Sequence, residues 1–300
     1  MLARLQQAIV ISLLALCAAW LWWSRTLPWP VAGVGLLVLL LAHAAFLAGE
    51  FLLAHHINRG DAAPRPSASM VLRAWAAESV AASRVFLWQQ PLRSHKWSDR
   101  LDLPAAGAPR RGIVFIHGFV CNRGLWNPWL ARMHAQGRAF AAVNLEPVFG
   151  SIDDYAPIID AAVRRVTAAT GMPPVLVCHS MGGLAARAWL RHCRDDTRAA
   201  HVVTIGTPHH GTWLARFGHL RNSRQMQIGG AWLAQLQRDE PPARAARFSC
   251  FYSNCDNIVV PASSATLAGA DNRFIAGLAH VEMAFDTDVT RQVMALVTRV

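Results

Sequence analysis

Two long apolar stretches open the chain, and polar and apolar segments begin to alternate regularly only after them. Residues 8–24 carry no charged side chain, and a second uncharged stretch runs from Val31 to Gly49. A helix needs about 20 apolar residues to cross a bilayer, so the second stretch is long enough and the first is marginal. We therefore predict two transmembrane helices, at about 8–24 and 31–53, within a membrane anchor that covers residues 1–57.

Four tryptophans surround the short connection between these stretches: Trp20, Trp22, Trp23 and Trp29. Tryptophan is typical of the membrane–water interface, which favours a helical hairpin in the membrane. A cleaved signal peptide or a single anchor is the alternative, with Arg4 as its charged end, but it leaves the second apolar run hard to place. Lipidation at Cys17 is a weaker alternative, because Leu16 stands where a small residue is expected.

The remainder of the chain has the pattern of an α/β domain. Residues 58–70 are rich in Pro, Ser and Ala and are interpreted as a linker to a domain over 71–300. Residues 70–86 have helical periodicity, and the apolar run Val85–Leu92 predicts an early strand. After a loop at 104–111, short apolar runs alternate with amphipathic segments, which is typical of parallel βαβ units. The predicted strands are 112–116, 139–145, 175–178, 202–205, 248–252 and 273–275, and the predicted helices are 124–136, 153–170, 183–192 and 287–300. This alternation predicts a mostly parallel central sheet flanked by helices.

The formal net charge of +11 does not indicate a nucleic-acid partner. Lys96 is the only lysine, and the arginines are scattered singly, without basic helices or interleaved stacking aromatics. Attraction to anionic lipid headgroups explains the positive charge better. One arginine precedes the first apolar stretch, one lies between the two, and Arg59, Arg65 and Arg73 follow the second. The positive-inside rule then places both ends of the chain in the cytoplasm.

The most informative motif surrounds Ser180. An apolar run ends abruptly at this serine, and Gly182 and Gly183 open the segment that follows. The pattern is typical of a nucleophile elbow, in which a buried strand turns sharply into a helix and presents a serine hydroxyl. Such a turn strains the backbone and requires small neighbours. Cys178 stands where the usual first glycine would be, and it is small enough to be tolerated as a packing variant.

A serine nucleophile needs a histidine base, and the base needs a carboxylate to orient it. In a sheet of this topology the order along the chain is nucleophile, acid, base, each on a loop at the carboxyl end of a strand. Asp256 follows the strand 248–252 and is the preferred acid, with Asp271 as the runner-up. His280 lies before the last helix and is the preferred base. His179, beside the nucleophile, is interpreted as a packing residue.

An oxyanion hole requires two backbone N–H groups aimed at the developing negative charge. The residue after the nucleophile, Met181, supplies one of them. The second comes from the loop after the early strand 112–116, where His117 and Gly118 form the turn. Phe119 is the expected donor there, and Val120 is the alternative. An ordinary strand-to-helix turn without this role is the other interpretation of the loop.

Four segments in this order resemble the α/β-hydrolase superfamily, and within it the bacterial triacylglycerol lipases and related esterases. These segments are 114–119, 178–183, 205–212, and 253–256 together with His280. A fifth and weaker one, residues 224–236, is similar to the lid region of such lipases. The resemblance implies an α/β-hydrolase fold with a small cap or lid insertion at about 213–246. The insertion is either a lid that opens at a lipid surface or a cap packed permanently on the core.

The resemblance also implies carboxylic-ester hydrolysis through an acyl-enzyme, with a lipid or acyl ester as the substrate. Ser180 would attack the carbonyl, His280 would shuttle the proton, Asp256 would hold the imidazole, and the Met181 and Phe119 amides would bind the oxyanion. That chemistry needs no cofactor or metal ion, and the six cysteines show no spacing of a zinc site.

Two other functions use the same residues differently. An acyltransferase or thioesterase could operate on the same triad, since an alcohol or thiol can also resolve an acyl-enzyme. A non-catalytic, hydrolase-like interaction protein is disfavoured, because it has no reason to keep all three triad residues in order. With the hairpin, the expected location is the bacterial inner membrane, with the catalytic domain in the cytoplasm; a periplasmic or secreted protein is the alternative.

Overall fold

Two long apolar helices form a hairpin at the start of the chain. The computed structural model describes residues 1–102 and 110–299. Helix α1 spans Leu2–Trp23 and helix α2 spans Trp29–Ile57, joined by a 3₁₀ turn at Ser24–Thr26. Both are long and apolar enough to cross a membrane, and almost none of their most apolar parts is buried in the protein. At the closed end of the hairpin, Trp20 Nε1 donates to the carbonyl of Ala32 across 2.8 Å.

A third helical segment lies beneath the open end of this hairpin. Helix α3 spans Ala68–Ser83, continues through a π-helical turn at Arg84–Gln89, and ends in α4, Gln90–Arg93. The strand predicted at Val85–Leu92 is therefore wrong, and these residues are helical. Strand propensity is overridden here because the helix packs on both sides: Val85 is buried in the core. On the other side, Gln90 Oε1 accepts a hydrogen bond from Gln6 of α1.

Six parallel strands form one sheet in the spatial order β2-β1-β3-β4-β5-β6. The strands are β1 Ile113–Ile116, β2 Phe140–Ala142, β3 Val175–His179, β4 His201–Ile205, β5 Phe248–Tyr252 and β6 Asp271–Phe274. The predicted parallel α/β architecture is confirmed. Because every strand runs the same way, the loops that leave their carboxyl ends gather at one edge of the sheet.

Helices cover both faces of the sheet. Alternate strand residues such as Val114 and Leu176 pack against α6 (Ala156–Thr170) and α7 (Met181–Cys193). The intervening residues, such as Phe115 and Val177, pack against α5 (Asn127–Ala135) and α11 (Thr287–Arg299). Strands buried on both faces read as continuous apolar runs, which explains why the sequence pattern located them.

The insertion between β4 and β5 forms several short helical segments. They are a 3₁₀ turn at Trp213–Phe217, helix α8 at Arg221–Gln225, helix α9 at Ala231–Asp239 and a second 3₁₀ segment at Pro242–Arg247. Leu236 of α9 is fully buried in the core. Arg187 of α7 forms a buried, bidentate pair with Glu240, with N–O distances of 2.9 and 2.6 Å. Gln225 Oε1 also accepts from the amide of Ile152 across 2.7 Å.

Candidate active site

Ser180 is the single residue between β3, which ends at His179, and α7, which begins at Met181. Its backbone angles, φ 54° and ψ −132°, lie in a region that a residue with a side chain rarely adopts. Two hydrogen bonds hold it there. Its amide donates to the carbonyl of Ile205 across 2.9 Å, and its carbonyl accepts from the Thr207 hydroxyl across 2.8 Å. The strain is therefore maintained by the neighbouring strand β4 and the loop after it.

Three glycines at this turn lie where neighbouring atoms leave no room for a Cβ. A Cβ on Gly118 would lie 2.6 Å from Ser180 Cβ and 3.2 Å from its Oγ. A Cβ on Gly182 would lie 2.5 Å from the carbonyl oxygen of Ile116, and one on Gly183 would lie 2.3 Å from Thr207 Oγ1. The loop after β1 thus lies directly against the serine, which places the predicted turn residues and Ser180 in one site.

Cys178 is fully buried in β3, two residues before the serine. It packs in the core with residues of the same sheet face, and burial raises the pKa of its thiol well above the usual range. A thiol that is neither exposed nor ionised is a poor nucleophile. Its surroundings agree with its interpretation as a packing residue.

Asp256 and His280 form a buried pair beside this turn. Nδ1 of His280 lies 2.9 Å from Oδ2 of Asp256, and the two residues are only 4% and 2% exposed. The other carboxylate oxygen, Oδ1, accepts from the amides of Ile258 (2.9 Å) and Val259 (2.8 Å), which fixes the carboxylate plane. A carboxylate only accepts hydrogen bonds, so Nδ1 carries the proton and Nε2 is left with a free lone pair. This is the tautomer that a general base needs.

The pair and the serine are joined through two shared neighbours. The ring centroid of His179 lies 4.7 Å from that of His280, and His179 Nε2 donates to the His280 carbonyl across 3.1 Å. A Cβ on Gly206, the residue after the Ile205 acceptor, would lie 3.1 Å from His280 Nδ1. Among the described residues no hydrogen bond joins the Ser180 hydroxyl to His280, and such bonds often tighten only when substrate is bound.

The charges around His280 favour its protonated form. Burial alone lowers the pKa of this imidazole, but the carboxylates of Asp256, Glu78 and Glu50 raise it, and the net shift is upward. His179 behaves in the opposite way. Burial, with the neighbouring His280 as a further cause, lowers the pKa of His179 to about 3. His280 is therefore the titratable histidine at the site, beside a histidine that stays neutral.

The loop after β1 is held by His117, which is fully buried. Its Nε2 accepts from the Leu145 amide across 3.0 Å, so its Nδ1 carries the proton and donates to the Gly118 carbonyl across 2.9 Å. Burial lowers the pKa of His117 to about 4, which keeps this arrangement intact at neutral pH. Val120 has a φ of 52°, so the loop turns sharply just after Phe119. Within residues 1–102 and 110–299, the Phe119 and Met181 amides donate to no protein acceptor.

The runner-up acid, Asp271, is placed elsewhere. It is the first residue of β6 and accepts from the Ser249 hydroxyl (2.9 Å) and from Arg273 (2.7 Å). Asp256 instead follows the carboxyl end of β5. The structure therefore brings Asp256, and not Asp271, into contact with His280.

Three further residues at the site were not singled out from the sequence. Thr207 binds the Ser180 carbonyl, and Asn257 Oδ1 accepts from the His280 amide across 3.3 Å. Glu78 of α3 is 1% exposed and accepts from the amides that follow His280. A sequence signal for Glu78 exists, because it is the only acidic residue between Asp61 and Asp99 and lies amid apolar helix positions. Carboxylates are rarely buried without a specific partner.

One cavity next to the cap contains no part of the candidate site. A cavity of about 650 Å³ between α7 and α9, lined by residues such as Arg191 and Asp239, contains none of the predicted site residues. Nearer to the serine, the ring of Phe119 packs edge-on against Phe149, with centroids 6.1 Å apart. Phe149 is 37% exposed, so the loop around the serine presents an aromatic surface to solvent.

Comparison with known proteins agrees with this architecture. The family model described as "Alpha/beta hydrolase family" matches residues 113–296. The crystal structure of Bacillus licheniformis lipase BlEst2 in its mature form is 20% identical, with a TM-score of 0.58 over 66% of this chain and 96% of that chain. The propeptide form of the same lipase is 22% identical, with a TM-score of 0.57 over 66% of this chain and 52% of that chain. Sequence identities this low establish only a shared fold. The family match covers more than half of the chain, which is enough to establish membership. The chain therefore belongs to the alpha/beta hydrolase family.

Proposed function

We propose that the protein is a serine hydrolase that cleaves carboxylic esters, with lipids as its substrate class. The observation that carries the proposal is the buried 2.9 Å contact between His280 Nδ1 and Asp256 Oδ2, next to a serine held at positive φ. An orienting carboxylate, an imidazole with a free Nε2, and a strained serine are the parts that acyl transfer requires.

In the proposed mechanism, Ser180 Oγ attacks the ester carbonyl while His280 Nε2 takes the hydroxyl proton. The resulting oxyanion accepts hydrogen bonds from the amides of Met181 and Phe119. His280 then gives its proton to the leaving alcohol, the C–O bond breaks, and an acyl-Ser180 ester remains. In the second half, His280 takes a proton from a water molecule that attacks this ester. His280 then returns the proton to Ser180 Oγ as the acyl–oxygen bond breaks and the acid leaves. Asp256 stays ionised and stabilises the imidazolium in both halves.

Two observations favour a lipid substrate. The solved relatives bear the name lipase, and Phe119 and Phe149 give the serine loop an aromatic surface. Transfer of the acyl group to an alcohol or thiol, as in an acyltransferase or thioesterase, is the second candidate, because the same acyl-enzyme precedes both outcomes. A non-catalytic role is disfavoured by the strained backbone at Ser180, since strain of this kind usually serves a function.

The test is hydrolysis of p-nitrophenyl esters by the full chain in detergent. We expect hydrolysis of both butyrate and palmitate esters, with kcat/KM higher for the longer chain. Faster release of p-nitrophenol on adding glycerol, with ester formed in place of free acid, would identify acyl transfer as the main outcome. Failure to hydrolyse any ester and to react with a fluorophosphonate probe would contradict the proposal.

We also propose that α1 and α2 cross the membrane as a hairpin. The two helices expose many large apolar side chains, including Trp22, Trp29 and Phe46, which an aqueous setting would disfavour. The C-terminal end of α2 and the residue after it contact the catalytic domain. Glu50 of α2 accepts from Asn257 across 2.8 Å, and Asn58, directly after α2, accepts from the Ala262 amide across 3.0 Å. These contacts favour a retained α2 over a cleaved signal peptide.

The surface of the protein next to the hairpin is also apolar. An apolar groove of about 530 Å³ lies between α2 and α3, lined by residues that include Leu52, Leu72 and Trp75. Val80 and Trp88, farther along α3 and its π-helical continuation, are exposed as well. A helical segment with such a face, and with Arg84 and Arg93 beside it, is typical of a membrane surface. The groove and this face would rest in the headgroup layer, on the cytoplasmic side that the arginine distribution favours.

Membrane fractions provide the measurement. We expect the full chain to stay in the membrane pellet after extraction at alkaline pH with sodium carbonate, because two apolar helices hold it there. A green fluorescent protein fused after Val300 is expected to fluoresce, and alkaline phosphatase at the same point to be inactive. Release into the carbonate supernatant would refute the hairpin, and an active phosphatase fusion would refute the cytoplasmic placement.

A further inference from the structure

We propose that Glu78, on the helix that joins the hairpin to the catalytic domain, is a positioning residue for the base His280. This inference rests on the proposed function, because it assigns His280 as the base. Glu78 lies outside the family match, which begins at residue 113, and it touches no member of the Ser-Asp-His set by hydrogen bond.

The geometry fixes the start of the helix that carries His280. Helix α10 spans only His280–Met283. Both oxygens of Glu78 accept from the Val281 amide, at 2.9 and 3.0 Å, and Oε2 also accepts from the Glu282 amide at 2.9 Å. The first amides of a helix have no partner within it, so a carboxylate here satisfies them and favours this helix position. His280 is the residue directly before these amides. Glu78 therefore fixes the backbone from which the imidazole ring of His280 projects.

A carboxylate at this place is unusual. Glu78 follows Ala74 by one helical turn and precedes Ala82 by another, and all three face the interior of the protein. Burial raises the pKa of Glu78 to about 7, while the hydrogen bonds from Val281 and Glu282 lower it. The side chain would be far easier to bury as an apolar residue. The presence of a carboxylate at this buried position is therefore explained by the hydrogen bonds that it accepts from the amides after the base.

The base is held from α2 as well. Glu50 Oε2 accepts from Asn257 Nδ2 across 2.8 Å, and Asn257 Oδ1 accepts from the His280 amide. Glu78 of α3 thus binds the amides of the two residues after His280. Glu50 of α2 acts through Asn257, whose side chain binds the amide of His280 itself. Arg73, also on α3, donates to the Gly277 carbonyl across 2.8 Å and pairs with Glu282. The loop that carries the base therefore has its anchors on the N-terminal helices.

The charged groups that face His280 come from four elements. Asp256 lies on the loop after β5, Glu78 on α3 and Glu50 on α2, and each raises the pKa of His280. His179 at the end of β3 is neutral, and Glu282 in α10 is paired with Arg73. A negative surrounding stabilises the imidazolium that forms during acyl transfer. Glu78 contributes its charge only where it is ionised, and burial raises its own pKa to about 7. Removing this charge should therefore lower the pKa of His280 by a modest amount, which moves the acid limb of the pH–rate profile to lower pH.

Glu78→Gln in the full chain, assayed with p-nitrophenyl butyrate from pH 5 to 9, is the test. Rates are divided by the sites titrated with a fluorophosphonate, so that only folded enzyme is counted. We expect the acid limb of kcat/KM to move to lower pH by less than about half a unit, because Glu78 is largely protonated below its raised pKa. We also expect the plateau kcat to fall about tenfold, because a misplaced base costs rate, with KM within about twofold of wild type. A merely structural role would change the yield of active sites and leave both readouts per site unchanged.

Two more variants keep the test decisive. Asp288→Asn removes an exposed carboxylate from the next helix and is expected to keep the wild-type profile. Glu78→Asp keeps the charge but shortens the reach, so its acid limb should stay near wild type while kcat falls; it replaces the glutamine variant if that one does not fold. If Glu78→Gln has the wild-type kcat per titrated site and the wild-type acid limb, the inference is overturned. A wild-type enzyme without Ser180-dependent activity would instead refute the proposed function.

Discussion

Replacing Ser180 by alanine is expected to lower the kcat of ester hydrolysis by about 10⁴- to 10⁶-fold and to abolish labelling by a fluorophosphonate probe. The reason is chemical, since in the proposed mechanism the hydroxyl oxygen attacks the carbonyl and then carries the acyl group. The change removes one buried oxygen and keeps the Cβ, so the folded structure should survive. Initial rates with p-nitrophenyl butyrate and gel fluorescence after labelling are the two measurements.

Cys178→Ala is the matched control for this experiment. Cys178 lies in β3, two residues before Ser180, is fully buried, and carries a thiol that could be mistaken for the nucleophile. We expect this variant to label like the wild type and to keep its rate within about threefold, because only a packing contact is lost. Labelling that survives in Ser180→Ala and disappears in Cys178→Ala would mean that the thiol is the nucleophile.

The second large effect is expected at Asp256. Asp256→Asn should lower kcat by about 10³- to 10⁴-fold at neutral pH, because an amide can donate to Nδ1 and so favours the wrong imidazole tautomer. The same change removes the carboxylate that raises the pKa of His280, so the acid limb of the remaining activity should move to lower pH. The measurement is the dependence of kcat/KM on pH, normalised by circular dichroism for folded protein.

Asp271→Asn tests the alternative acid under the same conditions. Its carboxylate binds Ser249 and Arg273 at the start of β6, and it has no contact with His280. We expect its kcat and pH profile to match the wild type. A loss at Asp271 that equals or exceeds the loss at Asp256 would show that the contact between Asp256 and His280 does not orient the base.

Strands β1 to β5 were predictable because they are almost fully buried and appear as mostly apolar runs, whereas β6 at the edge of the sheet is more polar and partly exposed. The limits of the elements were less accurate. Strand β2 is confined to Phe140–Ala142, where it pairs with β1 and its first residue also forms a bridge with Arg100, whereas the predicted strand extends to Leu145. Helix α7 begins at Met181, two residues earlier than the glycine-rich sequence suggests, because the turn at Ser180 is too tight to leave a loop.

Positions that depend on distant contacts could not be predicted in this way. The strand propensity of Val85–Leu92 was overridden by packing between α1 and the core, and no local pattern reveals that packing. The same holds for Glu78, whose partners lie more than 200 residues away along the chain. The triad residues were proposed from chain order and from their position after predicted strands or before the last helix. The structure adds the contact of Asp256 with His280 and the exclusion of Asp271 from it.

The contacts of the C-terminal end of α2 and the residue after it have a practical consequence for anyone who divides this chain. The sequence suggests a cut within residues 58–70, between an anchor and a soluble enzyme. Such a cut would remove Glu50 and Asn58, leaving Asn257 and the Ala262 amide without their partners beside the acid loop. A detergent that displaces α2 would break the same two contacts, which lie outside the sheet. If the proposed function holds, we expect such a detergent to lower activity before the sheet unfolds.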